Sequence, residues 1–144
     1  MGLLSKLTGM TSTKQPNDNV LLVHAMLLMA GADGAIESEE IATVEAFVTC
    51  LSEFKSENFG NLVGEAQKML RKYNSLKESV AALQHLSTPA LRYKAFVLAA
   101  DIAMSSGDVD EAEDQLLETM QRLLQIDDQT AQTVIWVLQQ KYAR

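Results

Sequence analysis

The stretch Ala32-Asp33-Gly34-Ala35-Ile36-Glu37-Ser38-Glu39-Glu40 lies between two apolar segments and carries four carboxylates in its last eight residues. Gly34 permits a tight turn, because a residue without a Cβ adopts positive φ at little cost. Ser38 is predicted to be the N-cap of the following helix. Glu39 and Glu40 then fall in the first helical turn, where the helix dipole favours acidic side chains. The stretch therefore predicts two helices joined by an acidic turn.

This arrangement recurs once, at Ser106-Gly107-Asp108-Val109-Asp110-Glu111-Ala112-Glu113, with an offset of 73 residues. At this offset Glu40 falls on Glu113. Among the apolar residues, Val44 falls on Leu117. Two copies are too few for a solenoid, since stacked repeats need at least about three copies to bury a continuous core. The sequence therefore predicts a pseudo-two-fold repeat of helix, acidic turn, helix and helix.

Apolar residues recur at helical spacing along the rest of the chain, and no period-two strand pattern is present. About seven helices are predicted, with capping residues at Asn17–Asn19, Ser38, Asn58, Ser75, Thr88, Asp110 and Asp127 or Asp128. A chain of 144 residues with 47% apolar content can bury one sizeable core. We therefore expect an all-α, compact bundle as a single domain over residues 17–144, with residues 1–16 as a flexible N-terminal tail.

Three features bear on the compartment. The longest apolar run, Val20–Ala30, is too short to cross a bilayer as a helix. The N-terminus lacks the apolar region and cleavage site of a secretory signal. The single cysteine, Cys50, cannot form an internal disulfide, which is typical of a reducing compartment. We expect a cytoplasmic protein.

The net charge of −7 is unevenly distributed. Two acidic segments, residues 15–54 and 95–121, contain no Lys or Arg, whereas residues 55–94 carry seven basic residues against three acidic ones. The candidate partner-binding residues of this basic segment are Lys68, Arg71, Lys72 and Lys77. Such a cluster could dock an acidic protein or anionic lipid headgroups, or form an ordinary solvated helix face. Nucleic acid is not expected as a partner, because the chain is acidic and no aromatic residues interleave the basic ones.

Hard cations such as Ca²⁺ and Mg²⁺ are bound by several oxygen ligands held in a turn, and neighbouring carboxylates supply them. The acidic residues of the two turns and of the helix before the second are candidate metal ligands: Asp33, Glu37, Glu40, Asp101, Asp108, Asp110 and Glu113. Asp101 belongs to this set because it lies in an otherwise apolar run, where a charge needs a partner. Neither turn fits the EF-hand pattern.

These acids also have a purely structural interpretation. Acidic residues in a first helical turn are stabilised by the helix dipole by about 0.3–1 kcal/mol each, without a metal. Asp101 would then form a salt bridge, for instance with Lys94 two turns earlier. Both interpretations stay open at the level of the sequence.

Other reactive residue types give no catalytic pattern. His24 and His85 lie in apolar helical segments without a second His or a Cys at ligand spacing, so we expect packed or half-exposed histidines and not zinc ligands. Cys50 has no neighbouring basic residue to activate it. No Ser-His-Asp order, P-loop or dinucleotide fingerprint is present. A hydrolase with paired carboxylates stays open, but no pair is singled out, and we expect no enzymatic activity.

Three segments form a recognisable pattern: Ala32-Asp33-Gly34-Ala35-Ile36-x-x-x-Glu40, its looser repeat Ser106-Gly107-Asp108-Val109-x-x-x-Glu113, and Leu123-Leu124-Gln125-Ile126-Asp127. Together they resemble the tellurite-resistance protein TerB family, over about Asn19 to Ile126 and more weakly to the C-terminus. The resemblance implies a compact all-helical, pseudo-two-fold fold with separate acidic and basic surface clusters. It also implies divalent-metal binding at the acidic cluster and work within a membrane-associated stress-response assembly. No enzymatic activity follows from the resemblance.

The family's acidic positions correspond here to Asp33, Glu37, Glu40, Asp108, Asp110 and Glu113, while Ser106 replaces the Asp of the first turn. The leading hypothesis is a cytoplasmic adaptor in tellurite or metal stress response, acting in part at the inner face of a membrane. Its acidic turns would bind a divalent cation such as Ca²⁺, and its basic segment would contact another stress-response protein or the membrane. The alternatives are a structural helical scaffold without a metal site and a carboxylate-based hydrolase.

Overall fold

The computed structural model describes residues 17–34 and 36–144, so the predicted N-terminal tail lies outside the described residues. The described chain forms seven α-helices: α1 (Asp18–Ala30), α2 (Ser38–Thr49), α3 (Phe59–Lys72), α4 (Leu76–Ala81), α5 (Pro89–Ser105), α6 (Glu111–Leu123) and α7 (Asp128–Lys141). Two short 3₁₀ helices lie at Ser52–Phe54 and Ala82–His85. This part of the chain contains no strand, and the all-α prediction is confirmed.

Helix starts follow local side-chain chemistry. Six helices begin at a residue whose side chain accepts the backbone N–H three residues later: Asn17, Asn58, Ser75, Thr88, Asp110 and Asp127. The prediction for α2 is wrong by one residue, because Ser38 is already helical and Glu37 occupies the N-cap position. The Glu37 backbone N–H donates to Glu40 Oε1 at 3.3 Å. When Glu37 is the N-cap, Glu40 is the third helical residue, and a Glu at that position can accept the backbone N–H of the N-cap residue. This hydrogen bond favours Glu37 over Ser38 as the N-cap.

The core is built around α1 and α5. Every residue of α1 from Val20 to Met29 is buried, and α5 buries its segment from Ala95 to Ala103 except for Val97 and Asp101. A helix that is apolar on all sides belongs in the interior, which the sequence of α1 predicts. Helices α2 and α3 pack on α1, whereas α6 and α7 pack on α5.

The two central helices run in parallel. At one end, the Asp18 carboxylate accepts hydrogen bonds from the Ser87 backbone N–H at 3.0 Å and from the Ser87 hydroxyl at 2.6 Å, immediately before α5 begins. At the other end, Ala30 of α1 and Ser105 of α5 line the same cavity. Both acidic turns therefore leave the bundle at the same end.

The membrane prediction can be examined over the same residues. Within residues 17–34 and 36–144, no helix has the combination of length and apolar character that a membrane span requires.

Candidate functional site

The two acidic turns face each other across a cavity of about 280 Å³. We call it the acidic cavity, because five acidic side chains line it: Asp33, Glu40, Asp108, Asp110 and Glu113. The wall also contains Met29, Ala30, Ala32, Thr43, Ile102, Ser105 and Ser106. Residues that are 73 positions apart in the sequence thus share one site, and no Lys or Arg in the described part of the chain lines it.

Glycines shape both turns. Gly34 has φ 122° and Gly107 has φ 97°, values that a residue with a Cβ rarely adopts. The Gly34 N–H donates to the Gly31 carbonyl at 3.0 Å, and the Gly107 N–H donates to the Met104 carbonyl at 3.1 Å. Each turn therefore reverses directly after its central helix, which places the next carboxylates over the end of the bundle.

Three of the five carboxylates also stabilise helix starts. Glu40 Oε1 accepts the Glu37 N–H, as described above. In the second turn, Asp110 Oδ1 accepts the Glu113 N–H at 2.8 Å, and Glu113 Oε1 accepts the Asp110 N–H at 3.0 Å. A carboxylate offers about four lone-pair positions, so these capping bonds leave oxygen lone pairs available for another ligand.

Burial and like charge act together on Glu113. Burial is the main cause that raises the pKa of its carboxyl above the ordinary value. The hydrogen bond from the Asp110 backbone opposes this change, and the negative charges of Asp110, Asp33 and Glu40 add to it. Carboxylates from both turns therefore repel one another across the cavity, and a bound cation would relieve that repulsion.

The carboxylates surround the cavity without converging on one point. Among the described residues, no group of three or more His, Cys, Asp or Glu side chains is placed so that it could hold a metal ion. The donor type still fits a hard cation, because carboxylate, hydroxyl and backbone carbonyl oxygens are the ligands such ions prefer. Coordination in this cavity requires side-chain rotation from the positions described.

Two of the predicted metal ligands lie elsewhere. Glu37 is exposed and is not part of the cavity wall. The Asp101 carboxylate lies at 2.8 and 3.1 Å from Lys141 Nζ and accepts a hydrogen bond from the Tyr142 hydroxyl. The predicted salt bridge between Asp101 and Lys94 is wrong, since Lys94 pairs with Glu53. The spacing along α5 permits the predicted pair, but each side chain has a partner from a distant segment.

The pairing of Asp101 has electrostatic consequences at the end of α7. The hydrogen bond to Asp101 is the main cause that raises the pKa of Lys141. Burial is the main cause that raises the pKa of the Tyr142 hydroxyl. Lys141 Nζ also lies 5.3 Å from the centroid of the Phe47 ring on α2. Asp101 therefore joins the end of α7 to α5 and is not available to the acidic cavity.

Sequence reasoning missed the neutral polar wall of the cavity. Ser106 occupies the position that corresponds to Asp33, and its hydroxyl donates to the Asp108 carbonyl at 3.0 Å. Thr43 and Ser105 also line the cavity. The offset of 73 residues was the signal available for Ser106, whereas nothing in the sequence pattern marked Thr43.

The predicted partner-binding residues are all exposed. Lys68, Arg71 and Lys72 lie on α3, and Lys77 lies on α4. None of the four forms a salt bridge with another described residue. We call these four residues the basic surface.

The two histidines differ in their environments. His24 is fully buried, and its Nε2 lies 2.8 Å from the Ser79 carbonyl oxygen. His85 is exposed. His24 is therefore a packed core residue, one of the two alternatives that the sequence predicts, whereas His85 is more exposed than predicted.

Comparison with known protein families identifies the chain. A family model described as Tellurite resistance protein TerB matches residues 19–134, which is more than half of the chain and extends past the segment that carries the motifs. Comparisons with curated proteins and with solved structures found no match.

Proposed function

The chain belongs to the tellurite resistance protein TerB family, and from this we propose that it acts in tellurite or metal stress resistance as a non-enzymatic adaptor. In this proposal the acidic cavity binds a divalent cation, and the basic surface contacts a further stress-response protein or an anionic membrane surface in the cytoplasm. The observation that carries the cation site is the meeting of five carboxylates from two separate turns around one cavity.

The chemistry of the cavity favours Ca²⁺ over both Mg²⁺ and transition metals. Ca²⁺ accepts about six to eight oxygen ligands in flexible geometry, whereas Mg²⁺ demands a near-octahedral shell. The wall offers carboxylate and hydroxyl oxygens and contains no His or Cys. Since the carboxylates are not held in a fixed coordination shell, an ion that tolerates variable geometry is the better candidate.

Thermal unfolding tests the cation site. After chelation, we expect added Ca²⁺ to raise Tm by more than Mg²⁺, Mn²⁺ or Zn²⁺ does. A ligand that binds only the folded state adds about 2.7 kcal/mol at one hundred times its Kd. Asp33→Asn with Glu40→Gln should abolish the increase, and Gln at position 40 keeps an oxygen for the Glu37 N–H.

The matched control is Glu39→Gln with Glu45→Gln, which removes the same charge from exposed positions of α2 outside the cavity. It should keep the Ca²⁺-dependent increase in Tm. If no ion moves the wild-type transition, the cation site is refuted.

A structural scaffold is the second candidate, and the capping bonds favour it. Glu40, Asp110 and Glu113 all accept backbone N–H groups at helix starts. This candidate requires that cations leave the stability of the wild-type protein and of the double variant unchanged. The raised pKa of Glu113 meets one requirement of the third candidate, a hydrolase, but burial and neighbouring charge account for it without a catalytic role.

The basic surface is tested separately. We expect Lys68→Glu with Lys72→Glu to abolish co-sedimentation with vesicles that contain anionic lipid, if the membrane is the partner. Lys55→Glu with Arg144→Glu is the control, because it reverses two exposed charges outside the basic surface. Wild-type protein that stays in the supernatant at low salt would exclude the membrane and leave an acidic protein as the partner.

A further inference from the structure

A groove between α6 and α7 exposes a large aromatic side chain. It encloses about 360 Å³, and its apolar wall consists of Phe96, Leu117, Ala131, Ile135 and Trp136. Trp136 is the single tryptophan of the chain, and 61% of its surface is exposed. The next residue, Val137, is 51% exposed. Val137 does not line the groove, but with Trp136 it places two large exposed apolar side chains at its edge, and exposed apolar surface at a groove can mark an interaction site.

The rim of this α6–α7 groove is acidic. Asp114, Glu118 and Asp128 line it, and the other polar residues of its wall are glutamines. No Lys or Arg of residues 17–34 and 36–144 lies in the wall. The groove therefore suits a segment that carries several apolar side chains together with positive charge.

Residues 1–16 of the same chain have this character. The segment contains Leu3, Leu4, Leu7 and Met10, and its charged side chains are Lys6 and Lys14. It contains no Asp or Glu. Positions 3, 7 and 10 share one face of a helix, so the segment matches the groove in both hydrophobicity and sign of charge.

The described part of the chain begins at the end of the bundle where the groove opens. Asp18 is hydrogen-bonded to Ser87, just before α5. At this end of α5, Pro89 shares a small cavity with Gln125, which follows α6. The groove reaches the same region through Gln121, whose Nε2 donates to Asp128 Oδ1 at 2.8 Å.

The connecting chain can span more than the length of α7. Residues 8–16 span up to about 30 Å when extended. Helix α7 has 14 residues and is therefore about 21 Å long. We propose that residues 3–10 of the N-terminal segment dock in the α6–α7 groove of their own chain, with the leucines against Trp136 and Ile135 and with Lys6 at the acidic rim.

Trp136 reports occupancy of the groove directly. With residues 3–10 docked, the emission of the full-length protein should lie at shorter wavelength, and acrylamide should quench it less, than in the variant Leu3→Ser with Leu4→Ser and Leu7→Ser. The control variant, Thr8→Ser with Thr11→Ser and Thr13→Ser, alters the same segment and should match the wild type. Equal emission and equal quenching in wild type and leucine variant would overturn the proposal.

A charge exchange supplies the second test. Lys6→Glu should increase acrylamide quenching of Trp136, and Glu118→Lys in the same chain should restore the wild-type value. Failure of restoration would refute the assigned position of Lys6. The emission should also be independent of protein concentration, because a shift that grows with concentration would assign the groove to the segment of a second copy and overturn docking within one chain.

Discussion

A single buried residue gives the protein a predictable response to pH. His24 lies against Tyr73, with ring centroids 6.5 Å apart. Its Nδ1 is buried and has no hydrogen-bond partner among the described residues. Since Nε2 faces the Ser79 carbonyl, the neutral ring carries its proton on Nε2, and protonation of Nδ1 would bury an unsatisfied donor and a charge. Burial accordingly lowers the pKa of His24 below its ordinary value of 6.5, although the hydrogen bond to Ser79 opposes this.

The sign of the pH effect follows from linkage. Below pH 6.5 the unfolded chain binds a proton at His24 more readily than the folded chain, so the free energy of unfolding falls as the pH decreases from there to the lowered pKa. His24→Gln keeps an N–H near the Nε2 position and does not titrate. Denaturant unfolding between about pH 8 and about pH 5.5 should show this decline in the wild type and a smaller one in the variant, and equal slopes would contradict the assignment.

Two glycine substitutions should have opposite effects. Gly34 has φ +122°, so Gly34→Ala forces a strained backbone and should lower the free energy of unfolding by about 1–3 kcal/mol. Gly64 lies inside α3 and has open space at the position of a Cβ, so Gly64→Ala should raise the free energy of unfolding by about 0.5–1 kcal/mol. Urea unfolding of both variants measures the two changes, and a destabilised Gly64→Ala would show that helix α3 is not a regular, open environment there.

At the scale of helices, capping chemistry fixes where each element begins. Asn58 Oδ1 accepts the Asn61 N–H at 3.0 Å at the start of α3. We expect Asn58→Ala to lower the free energy of unfolding by about 1 kcal/mol, because a backbone donor loses its partner. Asn61→Ala is the matched control, since its exposed side chain makes no capping bond. Chemical denaturation compares them, and equal losses would mean that the cap contributes little.

Local patterns predicted the helices because caps and periodicity act over three or four residues. Ser75 and Thr88 are examples, since each bonds to a backbone N–H three positions away. The N-cap role of Glu37 was not predicted, because either Glu37 or Ser38 could precede the helix. Only the hydrogen bond from the Glu37 N–H to the Glu40 side chain selects between them. Short-range chemistry thus defines the elements to within about one residue.

At the scale of the molecule, tertiary packing decides which carboxylates meet. The sequence indicated two acidic turns, but their meeting depends on the parallel packing of α1 and α5, which no local pattern encodes. Asp101 shows the limit most clearly, since its partner Lys141 is 40 residues away. Because Asp101 lies in an apolar run, the sequence indicated that it needs a basic partner, but it did not indicate which residue that partner is. The predicted two-fold repeat stays a prediction, although both turns share a positive-φ glycine and a reciprocal Glu at the helix start.

The sequence predicted Asp101 and the acidic-cavity residues as one set of metal ligands, but the packing separates them. Cation titration of variants can distinguish Asp101 from the cavity residues. Glu113→Gln should weaken the Ca²⁺-dependent rise in Tm, because Glu113 lines the acidic cavity and interacts with Asp33 and Glu40. Asp101→Asn should lower Tm without Ca²⁺, because Lys141 loses its ion pair, yet leave the Ca²⁺-dependent increment unchanged. Differential scanning calorimetry with chelator and with Ca²⁺ measures both quantities. Loss of the increment in Asp101→Asn would place Asp101 in the cation site after all and would require the end of α7 to release it when the ion binds.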